Sequence, residues 1–540
     1  MTYLTDGILK DVYDKCRDYF VNSIDRNIHI KAYEHKDSEP DSGFAETEFA
    51  GKYLDTCMHF YEFDKDEKVL ENAKAVVKSI IANQREDGYV GGYRRGAEFE
   101  AYSVWNQAFT VYGLVAYYLL TGDEGALNAA ENSVKYIADY YMNNSESDIL
   151  KAIWGTQNLA ILDTLPRLYN ITRDKLYMDF MEHTFDRLKN SNNNFFDFHS
   201  ILDLGSQKGI ENFCVLISMV MYYEITGDKT AFDAANKYWE ELNETQIRQT
   251  GNGTIGELWT ENGNEPKFLD IGMRPNENCV AVGWCELSMI LFRNTHESKY
   301  IDAVEKTLYN HILSAVDNYG KDFAYYQPNF GVKITKTNEN EYKCCRYRGY
   351  SAVSQFNDIL FFETDESIIP GVYANSVFES EDVKIEEKTN YPFDDTVEFM
   401  ISGNTDKSMK IRIPHWCEKY TVTKNGEVLD AKKQSGYINI DSLYDGDVIT
   451  VCFNTQVKSK KAVIDGKNYV SFTYGDILLV PDSSICDDIY GKKDVTGEFA
   501  RNTDTEFNIE FTSGNLRLVD YASAGKKHDG DEYTEWILTE

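Results

Sequence analysis

Two adjacent cysteines, Cys344 and Cys345, stand out in a chain of 540 residues that has only ten cysteines. A disulfide between sequence neighbours is unfavourable, because their Cα and Cβ positions fit the geometry of that bond badly. Paired thiolates are instead typical ligands of zinc, since soft sulfur selects zinc over magnesium or calcium. The pair therefore indicates a metal site, with two unrelated buried thiols as the alternative.

A third sulfur and a carboxylate are available in the segment RPNENCVAVGWCELSMILF, where Glu277 and Cys279 stand just before a strong helical pattern. Together with the cysteine pair they make a Cys3Glu set, a donor combination that suits tetrahedral zinc. Spacing alone leaves this set open, because Glu-x-Cys is a common pair. Glu277 could also be a first-turn acid that the helix macrodipole favours.

The elements that carry these residues are predicted by a repeat of about 50 residues in the first two thirds of the chain. Each copy has an aromatic or apolar helix end, a short polar turn, an acidic residue and then a new helix with apolar periodicity. An acid at that position favours the following helix as an N-cap or first-turn residue. The repeat unit is therefore an αα-hairpin, and the five acids are Asp66, Asp123, Asp174, Asp228 and Glu297.

Five copies, with room for one more near the N-terminus, predict six hairpins that either close into an (α/α)6 barrel or stack as an open solenoid. Past about residue 365 the pattern changes to short alternating runs separated by turn residues, which predict antiparallel strands. Asn425–Gly426 between two such runs is a good hairpin signal. The C-terminal part is therefore predicted to be an antiparallel β-sandwich, in one module or two.

The composition restricts the partners of the chain. Its formal charge of −34, from 55 basic and 89 acidic residues, repels phosphate backbones and anionic lipid, whereas a neutral sugar is compatible with it. The segment MTYLTDGILKDVYDKCRDYF has no apolar core of a signal peptide, and no run of about 18 apolar residues occurs. We therefore expect a cytoplasmic protein without nucleic-acid or membrane partners; a homodimer is compatible with the sequence.

The arrangement Glu-x-Cys followed by Cys-Cys resembles the zinc-dependent β-L-arabinofuranosidases of glycoside hydrolase family 127. The resemblance extends over most of the chain, and it implies an (α/α)6-barrel catalytic domain in residues 1–365 and β-sandwich domains in residues 366–540. Together these make a multidomain α plus β fold. The segments that carry it include FAETEFAGKYLDT (44–56), QREDGYVGGY (84–93), RQTGNGTIGELW (248–259) and MKIRIPHWCE (409–418).

The resemblance also implies roles for individual residues. The family holds Zn²⁺ through residues that match Glu277, Cys279, Cys344 and Cys345, and its nucleophile matches Cys344. Its acid/base glutamate, in a Gly-Glu pair, matches Glu257, which on the sequence alone could equally be an exposed loop carboxylate. The implied function is a retaining exo-glycoside hydrolase that acts on short oligosaccharides.

The residues that should contact the sugar depart from the family. Its substrate-binding histidines fall near Tyr102, Asn158 and Lys208, which we take as the candidate substrate-binding residues. Arg346 and Arg348 stand where the family usually has a Pro-Pro-Asn run. Together with Lys208 they could bind a carboxylated sugar, because arginine matches carboxylates bidentately, although solvent-exposed arginines are the alternative.

Three functions are compatible with these observations. The first is a glycoside hydrolase that uses the zinc-bound cysteine, for arabinofuranosides or another sugar. The second is a lyase or unsaturated-uronyl hydrolase on a helical toroid, which would use carboxylates, tyrosine or histidine and no cysteine. The third is a non-catalytic sugar-binding protein that zinc stabilises. Dependence of hydrolysis on Cys344 separates the first from the others.

Overall fold

The computed structural model describes residues 1–152, 155–336, 344–495 and 497–539. Its N-terminal part is helical, and no described helix is both long and apolar enough to cross a membrane. A 3-10 turn (Gln157–Asp163) precedes α7, and a π-helical turn (Leu308–Ile312) joins α12 to α13. The helices are α1 (Gly7–Ser23), α2 (Arg26–Glu34), α3 (Glu46–Asp64), α4 (Glu67–Asn83), α5 (Ser103–Thr121), α6 (Glu124–Asn143), α7 (Thr164–Thr172), α8 (Lys175–Lys189), α9 (Gly209–Thr226), α10 (Lys229–Thr245), α11 (Asn278–Thr295), α12 (Ser298–Thr307), α13 (Leu313–Ala315) and α14 (Cys344–Ser354).

The predicted helical hairpins are confirmed, and the acid of each repeat lies at the N-cap of the second helix. The side chains of Asp66, Asp123, Asp174 and Asp228 accept hydrogen bonds from backbone N–H groups two residues further on. Glu297 occupies the same position before α12 but makes no side-chain cap. Capping of this kind satisfies the free N–H groups of the helix end, so the turn is fixed locally.

The first helices of the hairpins form a closed ring, which makes this part an (α/α)6 barrel. Around the ring, α3 contacts α5, α5 contacts the 3-10 turn before α7, that turn contacts α9, and α9 contacts α11. The ring closes through α14, which contacts both α11 and α3. The sixth pair is therefore not a hairpin near the N-terminus, as the sequence suggested. It joins α14 to the N-terminal α1, which packs on it.

The C-terminal part consists of antiparallel sheets, with β4 and β8 as the one parallel pair among the described strands. The sheet orders are β1-β5-β6-β7-β12-β9-β10, β11-β8-β4-β3 and β13-β14-β15-β18-β17-β16, with β20 beside β14 and a separate β19-β2 pair. The strands are β1 (Thr2–Leu4), β2 (Phe330–Val332), β3 (Phe361–Glu363), β4 (Ser367–Pro370), β5 (Ser376–Glu379), β6 (Val383–Thr389), β7 (Thr396–Gly403), β8 (Ser408–Arg412), β9 (Thr421–Lys424), β10 (Glu427–Val428), β11 (Tyr437–Ile440), β12 (Val448–Cys452), β13 (Val457–Ile464), β14 (Lys467–Tyr474), β15 (Ile477–Val480), β16 (Ala500–Asn502), β17 (Glu510–Ser513), β18 (Leu516–Asp520), β19 (Glu532–Thr534) and β20 (Ile537–Leu538).

The predicted hairpin at Asn425–Gly426 is confirmed, since β9 and β10 pair across it and both turn residues have positive φ. The N-terminal strand β1 pairs with β5, so the first residues of the chain belong to a C-terminal sheet. The domain boundary between residues 365 and 366 stays a prediction.

A buried arginine joins the barrel to the sheet β11-β8-β4-β3. Arg412 of β8 is completely buried and donates to Asp302 over 2.5 Å and to Glu305, both on α12. Glu305 also accepts a hydrogen bond from Tyr391. The cluster is one of the buried polar contacts that hold β8 against α12.

We expect Arg412→Met to lower the free energy of unfolding by about 3–5 kcal/mol, because it leaves two buried carboxylates without their cation. Thermal denaturation followed by circular dichroism measures the loss. Arg17→Met is the matched control: Arg17 pairs with Asp64 over 2.8 Å at a partly exposed position, and its loss should cost less than about 1 kcal/mol. Equal melting temperatures of Arg412→Met and the wild type would contradict the assignment.

Candidate active site and metal centre

Three cysteines meet where the N-terminal ends of α11 and α14 come together. Cys279 Sγ lies 3.0 Å from Cys345 Sγ and 3.2 Å from Cys344 Sγ. All three are free thiols, far from the length of about 2.05 Å that a disulfide requires. The vicinal pair is therefore part of a thiol cluster, and residues 65 positions apart in the sequence have become neighbours.

A carboxylate completes a group of metal-ligand atoms. Among the described residues, Glu277, Cys279 and Cys345 are buried and their ligand atoms all lie within 4.8 Å of one another. Cys345 Sγ is 3.7 Å from Glu277 Oε1. Cys344 adjoins this group through Cys279.

The donor set fits a soft divalent metal. Glu277 is the N-cap residue of α11, yet its side chain does not cap the helix, and its Oε2 atom is buried without a partner in the described part of the chain. Burial raises the pKa of Glu277 to about 7. A buried polar atom without a partner is costly, and a bound cation would remove that cost.

The three thiols differ in their surroundings. Burial raises the pKa of Cys279 and of Cys345, whereas hydrogen bonds from these two thiols hold the pKa of Cys344 well below its usual range. Cys344 is also the most accessible of the three. The thiolate is the reactive form of cysteine, and the role of Cys344 as the nucleophile stays a prediction.

Two residues that the sequence reasoning missed lie beside Cys344. Lys52 of α3 donates to Cys344 Sγ over 3.0 Å and to Glu48 Oε1 over 2.5 Å. Burial raises the pKa of Glu48 to about 7. The available signal was the i, i+4 spacing of Glu48 and Lys52, which places both on one face of a helix within the segment FAETEFAGKYLDT.

Glu257 occupies a tight turn that the loop around it holds in place. Ile255 and Leu258 exchange backbone hydrogen bonds of 3.0 and 3.1 Å, and the two residues between them, Gly256 and Glu257, both have positive φ. The Glu257 carbonyl accepts a bond from Gly209 N–H at the start of α9. Positive φ at a residue other than glycine costs about 1–3 kcal/mol and is concentrated at functional sites.

Both carboxylate oxygens of Glu257 have protein partners. Lys208 donates to Oε2, Tyr326 donates to Oε1, and the Glu257 side chain is only 13% exposed. The interpretation of Glu257 as an exposed loop carboxylate is therefore wrong. Tyr326 also forms an antiparallel bridge with Glu277, so a short path through the backbone connects Glu257 to the metal-ligand group.

A further buried acid lies one turn along α9 from Lys208. Glu211 is 3% exposed, and Thr156 donates to its Oε2 atom over 2.6 Å. Burial raises the pKa of Glu211 to about 7, and the charge of Lys208 acts in the opposite direction. Sequence reasoning missed Glu211, because nothing in the segment SQKGIENF marks this acid as buried.

The other candidate substrate-binding residues lie in different surroundings. Asn158 is buried, and its amide group donates to Tyr141 Oη and to the Ile149 carbonyl, both over 3.3 Å. Tyr102 is the N-cap residue of α5 and packs against a small aromatic cluster around Tyr93. The roles of Tyr102, Asn158 and Lys208 in sugar binding stay predictions.

The two arginines after the cysteine pair are bound to protein acceptors. Arg348 is buried and donates to Glu286 over 2.5 Å, so its interpretation as a solvent-exposed residue is wrong. Arg346 lies 3.5 Å from Asp322 and donates to the Lys321 carbonyl over 2.9 Å.

Two models of one protein family match this chain. A family model described as the catalytic domain of GH127 β-L-arabinofuranosidases matches residues 4–358, and a model of the GH127 middle domain matches residues 371–455. The chain belongs to glycoside hydrolase family 127. It is a glycoside hydrolase of the β-L-arabinofuranosidase-like kind.

The relatives of this GH127 protein are distant in sequence. The non-reducing end β-L-arabinofuranosidase of Bifidobacterium longum subsp. longum is 21% identical over 471 residues, which cover 76% of this chain and 70% of the relative. The crystal structure of a GH127 β-L-arabinofuranosidase from Geobacillus stearothermophilus T6 is similar over 100% of both chains, with a TM-score of 0.80 and 18% identity. A second GH127 β-arabinofuranosidase structure has a TM-score of 0.83 and 20% identity, over 100% of this chain and 96% of the other. The two structures establish the shared fold.

We expect the purified chain to contain about one equivalent of a divalent metal, because the group offers a single closed set of soft ligands. Cys345→Ser should abolish the metal, as measured by elemental mass spectrometry on protein prepared without added metal. Cys285→Ser, on the same helix as Cys279 but outside the group, should retain it. A wild-type chain without metal, or a Cys345→Ser variant that retains it, would contradict the assignment.

The buried Glu211 makes stability depend on pH. Its folded-state pKa of about 7 lies above the ordinary value of 4.5, so its contribution is complete below about pH 4.5 and is lost as the pH rises through 7. Because Gln does not titrate, Glu211→Gln should gain stability relative to the wild type between pH 5 and pH 8, by on the order of 2–3 kcal/mol. Chemical denaturation at both pH values measures the difference; a value independent of pH would contradict the prediction.

Proposed function

We propose that this GH127 protein is a retaining exo-glycoside hydrolase that removes β-L-arabinofuranosyl units from short oligosaccharides. Cys344 acts as the nucleophile and Glu257 as the general acid/base. The observation that carries the proposal is the joining of two sites: Tyr326 binds the Glu257 carboxylate and pairs by its backbone with Glu277 of the metal-ligand group.

The metal is proposed to be zinc, held by Glu277, Cys279, Cys345 and Cys344. Three sulfur donors and one carboxylate favour zinc over harder cations. When bound, zinc would keep the coordinating thiols deprotonated and moderate the basicity of the sulfur atoms. The rest of the reaction depends on the side chains around it.

In the first step Cys344 Sγ attacks the anomeric carbon while the bond to the leaving oxygen breaks. Glu257, protonated, donates its proton to that oxygen. Tyr326 and Lys208 donate to the two carboxylate oxygens and so fix the orientation of the group; the Lys208 contact favours the ionised form, which the second step uses as the base. The product of this step is a glycosyl–cysteine thioether.

In the second step Glu257 takes a proton from a water molecule, and the water oxygen attacks the anomeric carbon. The carbon–sulfur bond breaks and its electron pair returns to Cys344. Each step inverts the anomeric carbon, so the sugar leaves with its original configuration. The acid of the first step is the base of the second.

The contacts of the basic residues favour a neutral sugar over a carboxylated one. Arg346 and Arg348, which a carboxylated sugar would need, contact Asp322 and Glu286 instead. Lys208 is paired with Glu257. The geometry also supports catalysis over simple sugar binding, because a binding protein has no evident need for a half-buried Glu257 with a hydrogen bond to each carboxylate oxygen, or for an accessible Cys344.

We expect Cys344→Ser to reduce hydrolysis of 4-nitrophenyl β-L-arabinofuranoside to background, because the alkoxide of serine is not available near neutral pH. Glu257→Gln should lower kcat by about 10²–10⁴-fold on a disaccharide, whose leaving group needs a proton. The nitrophenyl glycoside, whose leaving group needs none, should instead show a burst followed by slow turnover.

Glu261→Gln is the control for Glu257, since Glu261 is an exposed acid four residues away in the same loop. It should leave both activities at the wild-type level. The proposal fails if the wild type hydrolyses an arabinofuranoside and Cys344→Ser does so equally well.

A further inference from the structure

A buried lysine on α3 contacts the sulfur of the proposed nucleophile, which lies on the neighbouring helix α14. Lys52 is 3% exposed, lies 292 residues from Cys344 in the sequence, and contacts its Sγ atom over 3.0 Å. Its ammonium group also lies 4.4 Å from the centre of the Phe109 ring. A buried ammonium requires partners for its protons and its charge, and the sulfur is one of them.

The second partner of the ammonium fixes where it points. Glu48 is 4% exposed and accepts from Lys52 over 2.5 Å, one helical turn away on α3. With Glu48 on one side and the ring of Phe109 on another, the ammonium has little freedom to leave Cys344.

The contact with Lys52 also distinguishes Cys344 from Cys279 and Cys345. Cys279 and Cys345 belong to the group whose ligand atoms all lie within 4.8 Å of one another and of Glu277, whereas Cys344 does not. In the described part of the chain, Cys344 is the cysteine of the cluster that receives a hydrogen bond from a lysine.

We propose that Lys52 is a positioning residue for Cys344: its ammonium group orients the sulfur and offsets the negative charge that the sulfur carries, while Glu48 holds the ammonium in place. The inference rests on the proposed function, because it takes Cys344 as the nucleophile.

The role is strongest in the second step of the reaction. The thioether sulfur of the glycosyl–cysteine is neutral, and negative charge returns to it as the carbon–sulfur bond breaks. The Lys52 hydrogen bond strengthens as that charge develops, so it stabilises the transition state of sugar release more than the thioether before it. In the first step the same bond stabilises the thiolate before attack, so its loss is partly compensated there.

Lys52→Met should therefore slow release of the sugar more than its transfer to Cys344. We expect kcat on 4-nitrophenyl β-L-arabinofuranoside to fall by about 10²-fold, with a parallel fall in KM and a pentosyl adduct on Cys344 visible by intact-protein mass spectrometry. Lys52→Arg, which retains the cation, should recover part of kcat. Loss of a merely structural lysine would not produce this parallel fall in kcat and KM.

A second measurement does not require activity. Removing a cation beside a metal centre should make the centre bind its metal more tightly, because the two positive charges repel each other. Metal-loaded Lys52→Met should therefore release its metal to the chelator 4-(2-pyridylazo)resorcinol more slowly than the wild type at the same pH. If the purified wild type holds no metal, alkylation of Cys344 by iodoacetamide replaces this measurement, and the variant should react more slowly.

Two variants control for folding. The double variant Glu48→Gln/Lys52→Met removes both buried charges, so it leaves no carboxylate unpaired. It should show the same parallel fall in kcat and KM. Lys333→Met removes another buried lysine, one that bonds to Ser314 and Tyr521 away from the cluster, and it should change neither the kcat and KM pattern nor metal release.

The outcomes separate the two proposals. If the wild type hydrolyses the substrate while Lys52→Met retains both kcat and the rate of metal release, the role of Lys52 is overturned and the function stands. If no variant and no wild-type protein hydrolyses an arabinofuranoside but metal release slows in Lys52→Met, the proposed function fails and the contact of Lys52 with the metal centre stands.

Discussion

Groups that become negative when they ionise concentrate at one buried end of the barrel, and the need to compensate their charge shapes the rest of the site. Three thiols, Glu277 and Glu48 lie together with Lys52 as the cation that contacts the cluster directly in the described part of the chain. An ionised group in such surroundings needs a partner, since the cost of desolvating it is otherwise several kcal/mol. The Lys52 ammonium supplies opposite charge, and a bound divalent cation would supply more.

The barrel brings these groups together through the direction of its inner helices. Each hairpin returns the chain to the same end before the next inner helix begins, so the N-termini of α3, α9, α11 and α14 meet there. Helix N-termini carry unpaired N–H groups and the positive end of the macrodipole, which favours thiolates and carboxylates. The same end that gathers negative side chains is therefore the end whose backbone tolerates them best.

Compared with the pattern expected from its family, this protein keeps the residues proposed for metal binding and catalysis and changes those predicted to contact the sugar. Lys208, which stands where a histidine was expected, donates a hydrogen bond to the carboxylate of Glu257. Arg348 forms a buried pair with Glu286 inside the barrel. These contacts place Glu257, the proposed acid/base, in a network of ionic hydrogen bonds with Lys208 and Tyr326.

The sequence by itself determined what depends on neighbours along the chain. The acids of the repeat cap helices two residues away, Asn425–Gly426 closes a two-residue hairpin, and alternating runs form the predicted strands, because each of these features is settled within a few residues. The sequence also predicted the ligand set, since its spacing and donor types match a known family pattern; the set is Glu277, Cys279, Cys344 and Cys345.

Only the tertiary structure decided which distant groups touch. That the sixth inner helix comes from residues 344–354 and packs on the N-terminal α1 depends on closure of the ring, which no local signal encodes. Lys52 reaches Cys344, and Tyr326 links Glu257 to Glu277, for the same reason. Glu48, Lys52 and Glu211 look like ordinary helix-surface residues in the sequence, because burial belongs to the packed barrel and not to the segment that contains them.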